Sequence, residues 1–336
     1  MKIKIHTFEL SALISKSGLN ICKKQFYKKA IGISSCFYQK DNYYIYKPWE
    51  IEGVIIRLQR LRSNDGNIAY IFFRINPSRL LENYDPQALY DPDEQNIKQL
   101  SQIMAEILNL IPIQIKELRL HRIDLCEDCM VDNPELYIRL LEKGVHKKKW
   151  VEDTYDDERR FHSFRRSNAK YQLTIYDKAY QMQKSGMIPV WTLEQKPLRI
   201  ELMVKSTAFQ KYLKGTGITQ ASWGKCLLFF SCIGGHILSN ILNRLIPRGE
   251  YYSLVEAQEL INSEVSYQNK KEALGSFLKD INRRRIIVID DPRNGKNAKN
   301  RFSDLVSLDI SPVTINARDK VKTLPSIHSL IEHLKC

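Results

Sequence analysis

Between residues 33 and 75, the chain contains a series of short segments rich in β-branched and aromatic residues, a pattern typical of β-strands. The segments are ISSCFYQ, NYYIYKP, GVIIRLQRL and IAYIFFRI. The polar stretch SNDGN at 63–67 predicts a hairpin turn between the last two. These features predict a group of strands in this part of the chain.

Helix-like and strand-like patterns then alternate up to about residue 215. IKQLSQIMAEILNLI (97–111) has apolar residues about 3.6 positions apart, as one buried face of a helix requires. NPELYIRLLEKG (133–144) begins with an N-cap residue and a proline and ends at a glycine, the signals of a second helix. The other predicted elements are the strand 115–125, the hairpin strands 159–167 and 171–178, the strand 197–206 and the helix 207–215. This order predicts an α+β fold with a mostly antiparallel central sheet and helices packed on one face.

From about residue 220 onward, the pattern is mainly helical. CLLFFSCIGG at 226–235 predicts a buried helix, and the amphipathic segments 253–264 and 270–285 predict two more. RIIVIDD predicts a short strand, and the basic, Asn- and Gly-rich segment 291–304 predicts a loop. We therefore predict two domains, 1–220 and 221–336, the second being a helix-turn-helix-like or winged-helix-like DNA-binding region.

The composition adds a location and a class of partner. No apolar run approaches the roughly 18–20 residues of a membrane helix. The start, MKIKIHTFEL, lacks the apolar core and cleavage site of a signal peptide, so we expect a cytoplasmic protein with no membrane partner. The chain of 336 residues has 52 Lys and Arg against 38 Asp and Glu, a net charge of +14. A positive field of this size favours binding to nucleic acid.

Three predicted strands carry polar side chains that share one face. They are Arg122 and Asp124 in LRLHRIDLCED, Gln172, Thr174 and Tyr176 in KYQLTIYDK, and Arg199, Glu201 and Lys205 in PLRIELMVKS. If the strands are neighbours, two carboxylates, a tyrosine and several cations meet on one patch. Such a set of groups suits phosphoryl transfer, which needs a nucleophile and cations that offset charge on the phosphoryl oxygens.

The tyrosine of this set is the candidate nucleophile. A tyrosine hydroxyl has a pKa near ~10, so it reacts slowly at neutral pH unless a cation stabilises the phenolate. Lys178 and Arg199 are the candidate cations. Asp124 and Glu201 offer the hard oxygen ligands that Mg²⁺ or Mn²⁺ prefers. His121 would add a nitrogen ligand, but strand alternation points it away from Asp124 unless a bulge intervenes.

Simpler explanations of the same residues remain open from the sequence. Arg122 with Asp124, and Arg199 with Glu201, would also form ion pairs on a solvated sheet face. Tyr180 lies four residues after Tyr176 and is either a second nucleophile or a packing contact. Cys126 and Cys129 form a single C-x-x-C, which without further paired ligands is a weak signal for zinc or redox chemistry.

Four segments carry a family resemblance. They are FFRINPSRLL (72–81), LHRIDLCED (120–128), YQLTIYDKAYQM (171–182) and LRIELMVKSTAFQKYLKG (198–215). In this order they resemble the replication initiators of filamentous phages, the gene II protein family, and the related trans-acting plasmid Rep proteins. That family has a strand with R-I-D, a strand ending in Tyr-x-Lys and a strand reading R-x-E in this order. The resemblance covers roughly residues 40–215.

The resemblance implies a rolling-circle initiator. Such an enzyme binds a double-strand origin, nicks one strand to give a 5′-phosphotyrosine link and a free 3′-OH, and later rejoins the displaced strand. It implies that Tyr176 is the nucleophile and that Lys178 is the family lysine next to it. Asp124 and Glu201 fall on the family's acidic positions.

The remaining matches and departures concern cations, metal ligands and the second tyrosine. Arg122 and Arg199 match the arginines that precede the two acidic residues. The chain lacks the His-hydrophobic-His metal motif of the broader nuclease superfamily, so the identity of its metal ligands is in question. Tyr176 and Tyr180 are similar to the pair of alternating tyrosines in some initiators.

Basic residues in and beside these motifs predict the DNA contacts. They are Arg122, Arg199 and Lys205 on the strands, Lys147 and Lys148 in HKKKW, and Arg165 and Arg166 in RRFHSFRRS. Strand displacement would also require a host helicase and replication machinery, while the oligomeric state stays open. Three alternatives remain: a DNA-binding regulator without catalysis, a mobilisation relaxase with the same chemistry, and a C-x-x-C zinc protein.

Overall fold

The computed structural model describes residues 2–31, 36–48, 51–60, 68–81, 88–109, 111–145, 150–152, 162–186, 196–284, 286–289, 291 and 294–335. The strands are β1 (Lys4–Ser15), β2 (Phe37–Lys40), β3 (Tyr43–Tyr46), β4 (Val54–Arg60), β5 (Ile68–Ile75), β6 (Arg119–Val131), β7 (Gly144–Val145), β8 (Val151–Glu152), β9 (Ser163–Ser167), β10 (Tyr171–Asp177), β11 (Lys196–Lys205), β12 (Tyr251–Tyr252), β13 (Ile287–Val288) and β14 (Thr323–Leu324). Ten of them form one antiparallel sheet in the order β2-β3-β4-β5-β1-β6-β11-β10-β9-β8. The antiparallel central sheet predicted from the sequence is therefore confirmed.

Helices account for most of the rest of the described chain. They are α1 (Lys16–Lys29), α2 (Pro77–Leu80), α3 (Glu94–Leu108), α4 (Pro134–Lys143), α5 (Lys178–Lys184), α6 (Ser206–Leu213), α7 (Trp223–Leu245), α8 (Leu254–Glu264), α9 (Gln268–Asn282), α10 (Ala298–Ser307) and α11 (Ile327–Leu330). Asn133 caps α4 as predicted, because its side chain accepts a hydrogen bond from the Leu136 amide at 3.0 Å.

The two faces of the large sheet differ in polarity. On one face, Phe8 of β1 stacks on Trp223 of α7 with 6.0 Å between ring centroids, and Phe26 of α1 stacks on Tyr46 of β3 at 4.5 Å. On the other face, Glu9 of β1 lies beside Arg74 of β5 in the strand register. The polar residues of the central strands thus collect on the second face, which we call the polar face.

β1 is central in the sheet, although the sequence patterns assign no element before residue 33. It pairs with β5 on one side and β6 on the other. Its apolar positions change phase along the strand, because Ile5 is buried at an odd position and Phe8, Leu10 and Ile14 are buried at even ones. A β-bulge between Ile5 and Thr7 produces this phase change and hides the alternation that would predict a strand.

A second bulge lies in the same pair of strands. Glu9 of β1 pairs with Arg122 of β6, and the next residue, Leu10, pairs with Leu120. His121 is therefore the extra residue of β6 at this bulge. The two bulges turn His6 and His121 onto the polar face, where each contacts a glutamate. The bulge that would correct the orientation of His121 is therefore present, but it brings His121 to Glu9.

α7 is longer than its sequence pattern predicts and belongs to the protein core. By length and composition this 23-residue helix would be long and apolar enough to cross a membrane, so the expectation that no segment reaches that length is wrong. However, 61% of its most apolar window is buried inside the protein. A Cβ atom on Gly234 would lie 2.4 Å from Ile3 Cγ2 and 2.9 Å from Leu125 Cδ1, so only glycine permits this close approach to the sheet.

The C-terminal region is mainly helical, as predicted, with one difference. The basic, Asn- and Gly-rich segment 291–304, predicted to be a loop, contains most of α10. Ala298, Phe302 and Leu305 form the buried side of this helix and outweigh the low helix propensity of the asparagines around them. The domain boundary at 220 stays a prediction; the next helix packs against β6 and β1.

Some predicted features lie outside the described residues. They are the turn at 63–67, the first residues of the 159–167 strand, and the basic residues Lys147 and Lys148.

Candidate active site

A cleft of about 700 Å³ opens on the polar face, along β10 and beside β9 and β11. Its walls come from β1, β5, β6, β9, β10, β11 and α5. The lining side chains that bear on chemistry are His6, Arg74, Arg122, His162, Arg165, Tyr176, Asp177, Tyr180 and Glu201. The cleft therefore joins residues from five of the strands that sequence patterns suggested and from β1, which they did not reveal.

Tyr176, the predicted nucleophile, lies in this cleft. It is paired with Arg199 of β11 in the strand register, and only 9% of its surface is exposed. Its hydroxyl forms no hydrogen bond to any residue that the structure describes. Burial, with a further contribution from Glu201, raises the pKa of Tyr176 well above its usual value. The hydroxyl is thus unbonded and protonated, and it needs a base or a cation to react.

Arg74 is another cation of the cleft. It forms neither a hydrogen bond nor an ion pair with another residue in the described ranges. Burial and the charge of Arg122 lower its pKa, and the nearby carboxylates of Asp124, Glu201 and Glu9 only partly offset this. An anion bound in the cleft would relieve both penalties. Sequence analysis did not single out Arg74, because one arginine in the apolar strand IAYIFFRI gives no functional signal.

The predicted acidic residue Asp124 is occupied by contacts within the protein. It is fully buried, and Arg122 donates two hydrogen bonds to it, from Nε at 2.8 Å and from Nη2 at 2.5 Å. The Thr7 hydroxyl donates a further hydrogen bond. Arg122 and Asp124 are two residues apart on one strand and so share a face, which is the ion pair that sequence analysis kept as the simpler explanation.

Arg199 is likewise paired, but across strands. It donates two hydrogen bonds of 2.6 Å to the carboxylate of Asp128, its register partner in β6, and is 1% exposed. It therefore does not pair with Glu201. Its guanidinium still adds positive charge beside Tyr176.

Glu201 pairs with His6, a residue that sequence analysis missed. His6 Nδ1 lies 2.8 Å from Glu201 Oε2. Burial alone would raise the pKa of Glu201, but His6, Arg199 and Arg122 together hold it below its usual range. The carboxylate is therefore ionised and orients the His6 ring, whose Nε2 is left for another partner.

His121, the third predicted metal ligand, contacts other residues than this pair. Its Nε2 lies 4.0 Å from Glu9, and its ring packs edge-on against Phe72 at 5.1 Å. Asp124, Glu201 and His121 are not brought together as a group of ligands within the described residues.

The other predicted site residues fall in different places. Tyr180 lines the same cleft as Tyr176. Lys178 is not among the cleft residues; its ammonium donates to Gln181 Oε1 at 2.7 Å, and burial with the charge of Arg199 lowers its pKa to about 8. Lys205 donates to the carbonyl of Asn168 at 2.9 Å, at the far end of β11.

The predicted DNA-binding arginines of the hairpin point in opposite directions. Arg165 lines the cleft, whereas Arg166 is 8% exposed and lies over the Phe164 ring at 4.7 Å. The C-x-x-C residues are also separated, because two residues three apart on β6 face opposite sides of the sheet. Both thiols are buried, and burial raises the pKa of Cys126 and of Cys129, so neither behaves as a reactive thiolate.

One group of three metal-ligand side chains occurs in the described part of the chain. It consists of Glu135 of α4, His162 just before β9, and Asp177 at the end of β10, with one ligand atom of each within 4.8 Å of the others. His162 and Asp177 also line the cleft. Sequence analysis missed this group, since its members are up to 42 residues apart and belong to no motif.

No protein-family model matches the chain, and no curated protein matches it. The function is therefore inferred from the residues of the cleft themselves.

Proposed function

We propose that this chain is a DNA nicking-and-joining enzyme of the rolling-circle initiator type, with Tyr176 as its nucleophile. The observation that carries the proposal is that Tyr176 and Arg74 share one cleft and that neither bonds to a residue in the described ranges. The Tyr176 hydroxyl is reached from the cleft, unlike the hydroxyl of Tyr90, which is buried without a hydrogen-bond partner in the described chain. The resemblance of four ordered segments to the gene II and plasmid Rep families supports the same chemistry.

The reaction needs one bond to form and one to break. The Tyr176 oxygen attacks the phosphorus of a phosphodiester, the bond from phosphorus to the 3′ oxygen breaks, and the 3′ oxygen leaves as a hydroxyl after gaining a proton. The product is a 5′-phosphotyrosine, and the reverse attack by a 3′-OH rejoins the strand. Arg74 is placed to bind the non-bridging phosphate oxygens, and Arg122 adds charge from the same wall.

His6 and Glu201 are the candidates for handling the proton. His6 Nδ1 lies 2.8 Å from Glu201 Oε2, and both residues line the cleft with Tyr176. A neutral His6 would take the phenolic proton once substrate binding brings its Nε2, or a bridging water, to the hydroxyl. In this arrangement Glu201 would orient the ring of His6, and His6 would be the base. Because the pKa of Tyr176 is raised, such a base has a larger effect here than beside an exposed tyrosine.

Mg²⁺ or Mn²⁺ was expected as a cofactor, but the predicted ligands do not fit one. Asp124 is occupied by Arg122 and Thr7, and His121 contacts Glu9 instead. We therefore assign no step of the reaction to a metal held by Asp124, Glu201 and His121.

The partners follow from this function. The substrate is DNA, as a double-strand origin with a single-stranded nick region, and the net charge of +14 favours it. The C-terminal helices would add duplex binding, and a host helicase would separate the strands. We place this activity in the cytoplasm. A mobilisation relaxase would use the same cleft, and a non-catalytic regulator is the alternative that the experiment below distinguishes.

The test is covalent capture. The full chain is incubated with Mn²⁺ and labelled single-stranded oligonucleotides that cover its own gene and flanks, and the products are separated on a denaturing gel. We expect a protein–DNA band that is lost in Tyr176→Phe. Tyr171→Phe is the matched control, because Tyr171 lies on the same strand but bonds the Tyr212 hydroxyl at 2.8 Å.

Tyr180→Phe distinguishes one nucleophile from two. Loss of the band only in Tyr180→Phe would move the nucleophile to α5, and partial loss in both variants would indicate that they alternate. If no band forms while duplex DNA binds tightly, the regulator function replaces this proposal.

A further inference from the structure

We infer that Glu135, His162 and Asp177 form a binding site for a divalent transition-metal cation at the edge of the cleft. The three residues come from the start of α4, the turn before β9 and the end of β10. One ligand atom of each lies within 4.8 Å of the other two. A cation bound at about 2.0–2.3 Å from each ligand would need only small side-chain movements.

His162 is held in place without a partner for its ring nitrogen. Its Nδ1 is shielded from solvent, forms no hydrogen bond within the described part of the chain, and lies 3.7 Å from Glu135 Oε1. The ring is stacked on Tyr180, with 3.4 Å between centroids and 8° between planes. A fixed, buried nitrogen that faces a carboxylate at more than hydrogen-bond distance is suited to a cation between them.

Asp177 supplies the second, independent observation. It is 4% exposed and forms no ion pair with a residue of the described ranges, an unusual state for a buried carboxylate. One oxygen, Oδ1, accepts the Tyr180 amide hydrogen bond at 2.9 Å and caps α5. The Asp177 amide donates to the carbonyl of His162 at 3.1 Å. Both ligands are thus fixed by the backbone, and the second oxygen of Asp177 remains for a ligand.

The donor set indicates the class of cation. One imidazole nitrogen and two carboxylates carry a charge of about −2, which a divalent cation neutralises. Imidazole favours a transition metal such as Mn²⁺ or Zn²⁺ over Mg²⁺, which prefers oxygen ligands. Glu135 is the more exposed of the two carboxylates, with 54% of its side chain accessible, so it would close the site last.

This site rests on the proposed function for its role, because its ligand Asp177 directly follows Tyr176 in the chain. Metal binding itself does not depend on nicking. Asp177 adjoins Tyr176 in sequence, and Tyr180 stacks on His162. A cation here would lie where α4 meets the end of β10, at the edge of the cleft that also holds His6 and Glu201.

The test measures binding of Mn²⁺ alone. The full chain is freed of metal with EDTA and titrated with Mn²⁺, and free ion is followed by its electron paramagnetic resonance signal. We expect one tight site whose dissociation constant rises by at least about tenfold in His162→Gln and Asp177→Asn. An asparagine side chain is also a good helix N-cap, so Asp177→Asn changes the ligand without removing the cap of α5.

Two kinds of control keep the result interpretable. His333→Gln is the matched control, because His333 lies 3.4 Å from Glu127 in another histidine–carboxylate pair, and it should leave binding unchanged. His6→Gln and Glu201→Gln test the rival position. Loss of Mn²⁺ binding in those two variants but not in His162→Gln, or no tight site in the unaltered chain, would overturn the assignment.

The metal site and the nicking function can be refuted independently of each other. A chain that binds Mn²⁺ through His162 but never forms a covalent DNA adduct retains the metal site and loses the nicking function. A chain that forms the Tyr176 adduct while His162→Gln binds Mn²⁺ normally retains the function and loses this site.

Discussion

The charged side chains on and beside the polar face of the sheet form two sets that differ in how they are satisfied. In β6 and β11, Arg122 pairs with Asp124 and Arg199 pairs with Asp128, each through two hydrogen bonds. Near the cleft, Arg74 has no partner in the described chain, and the carboxylate of Asp177 has no cation. The paired set contributes to folding, and the unpaired set is available to a ligand.

This difference changes the meaning of the motifs. In the R-x-D of residues 122–124 the arginine and the aspartate pair with each other, since residues two apart on a strand share a face. In the R-x-E of residues 199–201 the two charged residues do not pair with each other. Arg199 pairs with Asp128 on the neighbouring strand, and Glu201 pairs with His6. Two motifs of the same form therefore have different roles, and only the second keeps its acidic residue in the cleft.

The largest effect should come from breaking the paired set. Arg122→Met would leave the carboxylate of Asp124 fully buried with only the Thr7 hydroxyl, so we expect the free energy of unfolding in urea to fall by roughly 3–5 kcal/mol. Asp124→Leu added to Arg122→Met should restore much of that loss, because both charges are then absent. A single variant as stable as the unaltered chain would show that the pair is not buried in solution.

A smaller, pH-dependent effect should come from Glu201. Its pKa is lowered in the folded protein, so it stabilises the fold above its ordinary pKa of 4.5 and loses this contribution as pH falls below that value. At pH 6 we expect Glu201→Gln to unfold more easily by about 1.5 kcal/mol. The gap to the unaltered chain, measured by urea unfolding, should narrow as the pH falls from 4.5 to about 2, the pKa of Glu201 in the folded protein. A gap that widens toward acid would contradict the ion pair with His6.

The smallest effect on stability should come from Arg74. Arg74→Met removes no hydrogen bond or ion pair formed with a described residue, so the free energy of unfolding should change by less than about 1 kcal/mol. The affinity of the Arg74→Met chain for single-stranded DNA should fall. The slope of log binding constant against log salt concentration should become shallower by about 0.7, the value for one phosphate contact. Lys24→Met, an equal charge change at an exposed position of α1, is the control and should leave both nearly unchanged.

A large loss of stability in Arg74→Met would place this arginine in the paired set. An unchanged salt slope would remove Arg74 from the DNA contacts and weaken the case for phosphate binding in the cleft.

Much of the fold follows from the sequence, because long alternating or helical patterns reflect which side of an element is buried. β10, β11 and α4 were predicted within one or two residues. β1 was missed because the bulge at His6 shifts the phase of its apolar residues. α10 was missed because three buried residues, Ala298, Phe302 and Leu305, matter more than the propensity of its asparagines.

The site was less predictable, because it depends on pairings between distant residues. Tyr176, Tyr180 and Glu201 carry signals in the sequence, and all three line the cleft. The metal-ligand group does not, since Glu135 reaches it only because α4 packs against β9 and β10. Which arginine is paired is also set by strand register, and register is not visible in a single strand.

The position of α7 has a consequence for the order of events during synthesis. Ile3, just before β1, lies far from α7 along the chain, yet its amide donates to the carbonyl of Ser231 at 3.0 Å, and the Ser231 hydroxyl donates to the carbonyl of Ile3 at 2.6 Å. These bonds close a loop of more than two hundred residues. Contacts of such long range slow folding, because loop entropy is lost before they form. The contact between Ile3 and α7 can therefore form only after α7 has been translated, more than two hundred residues later.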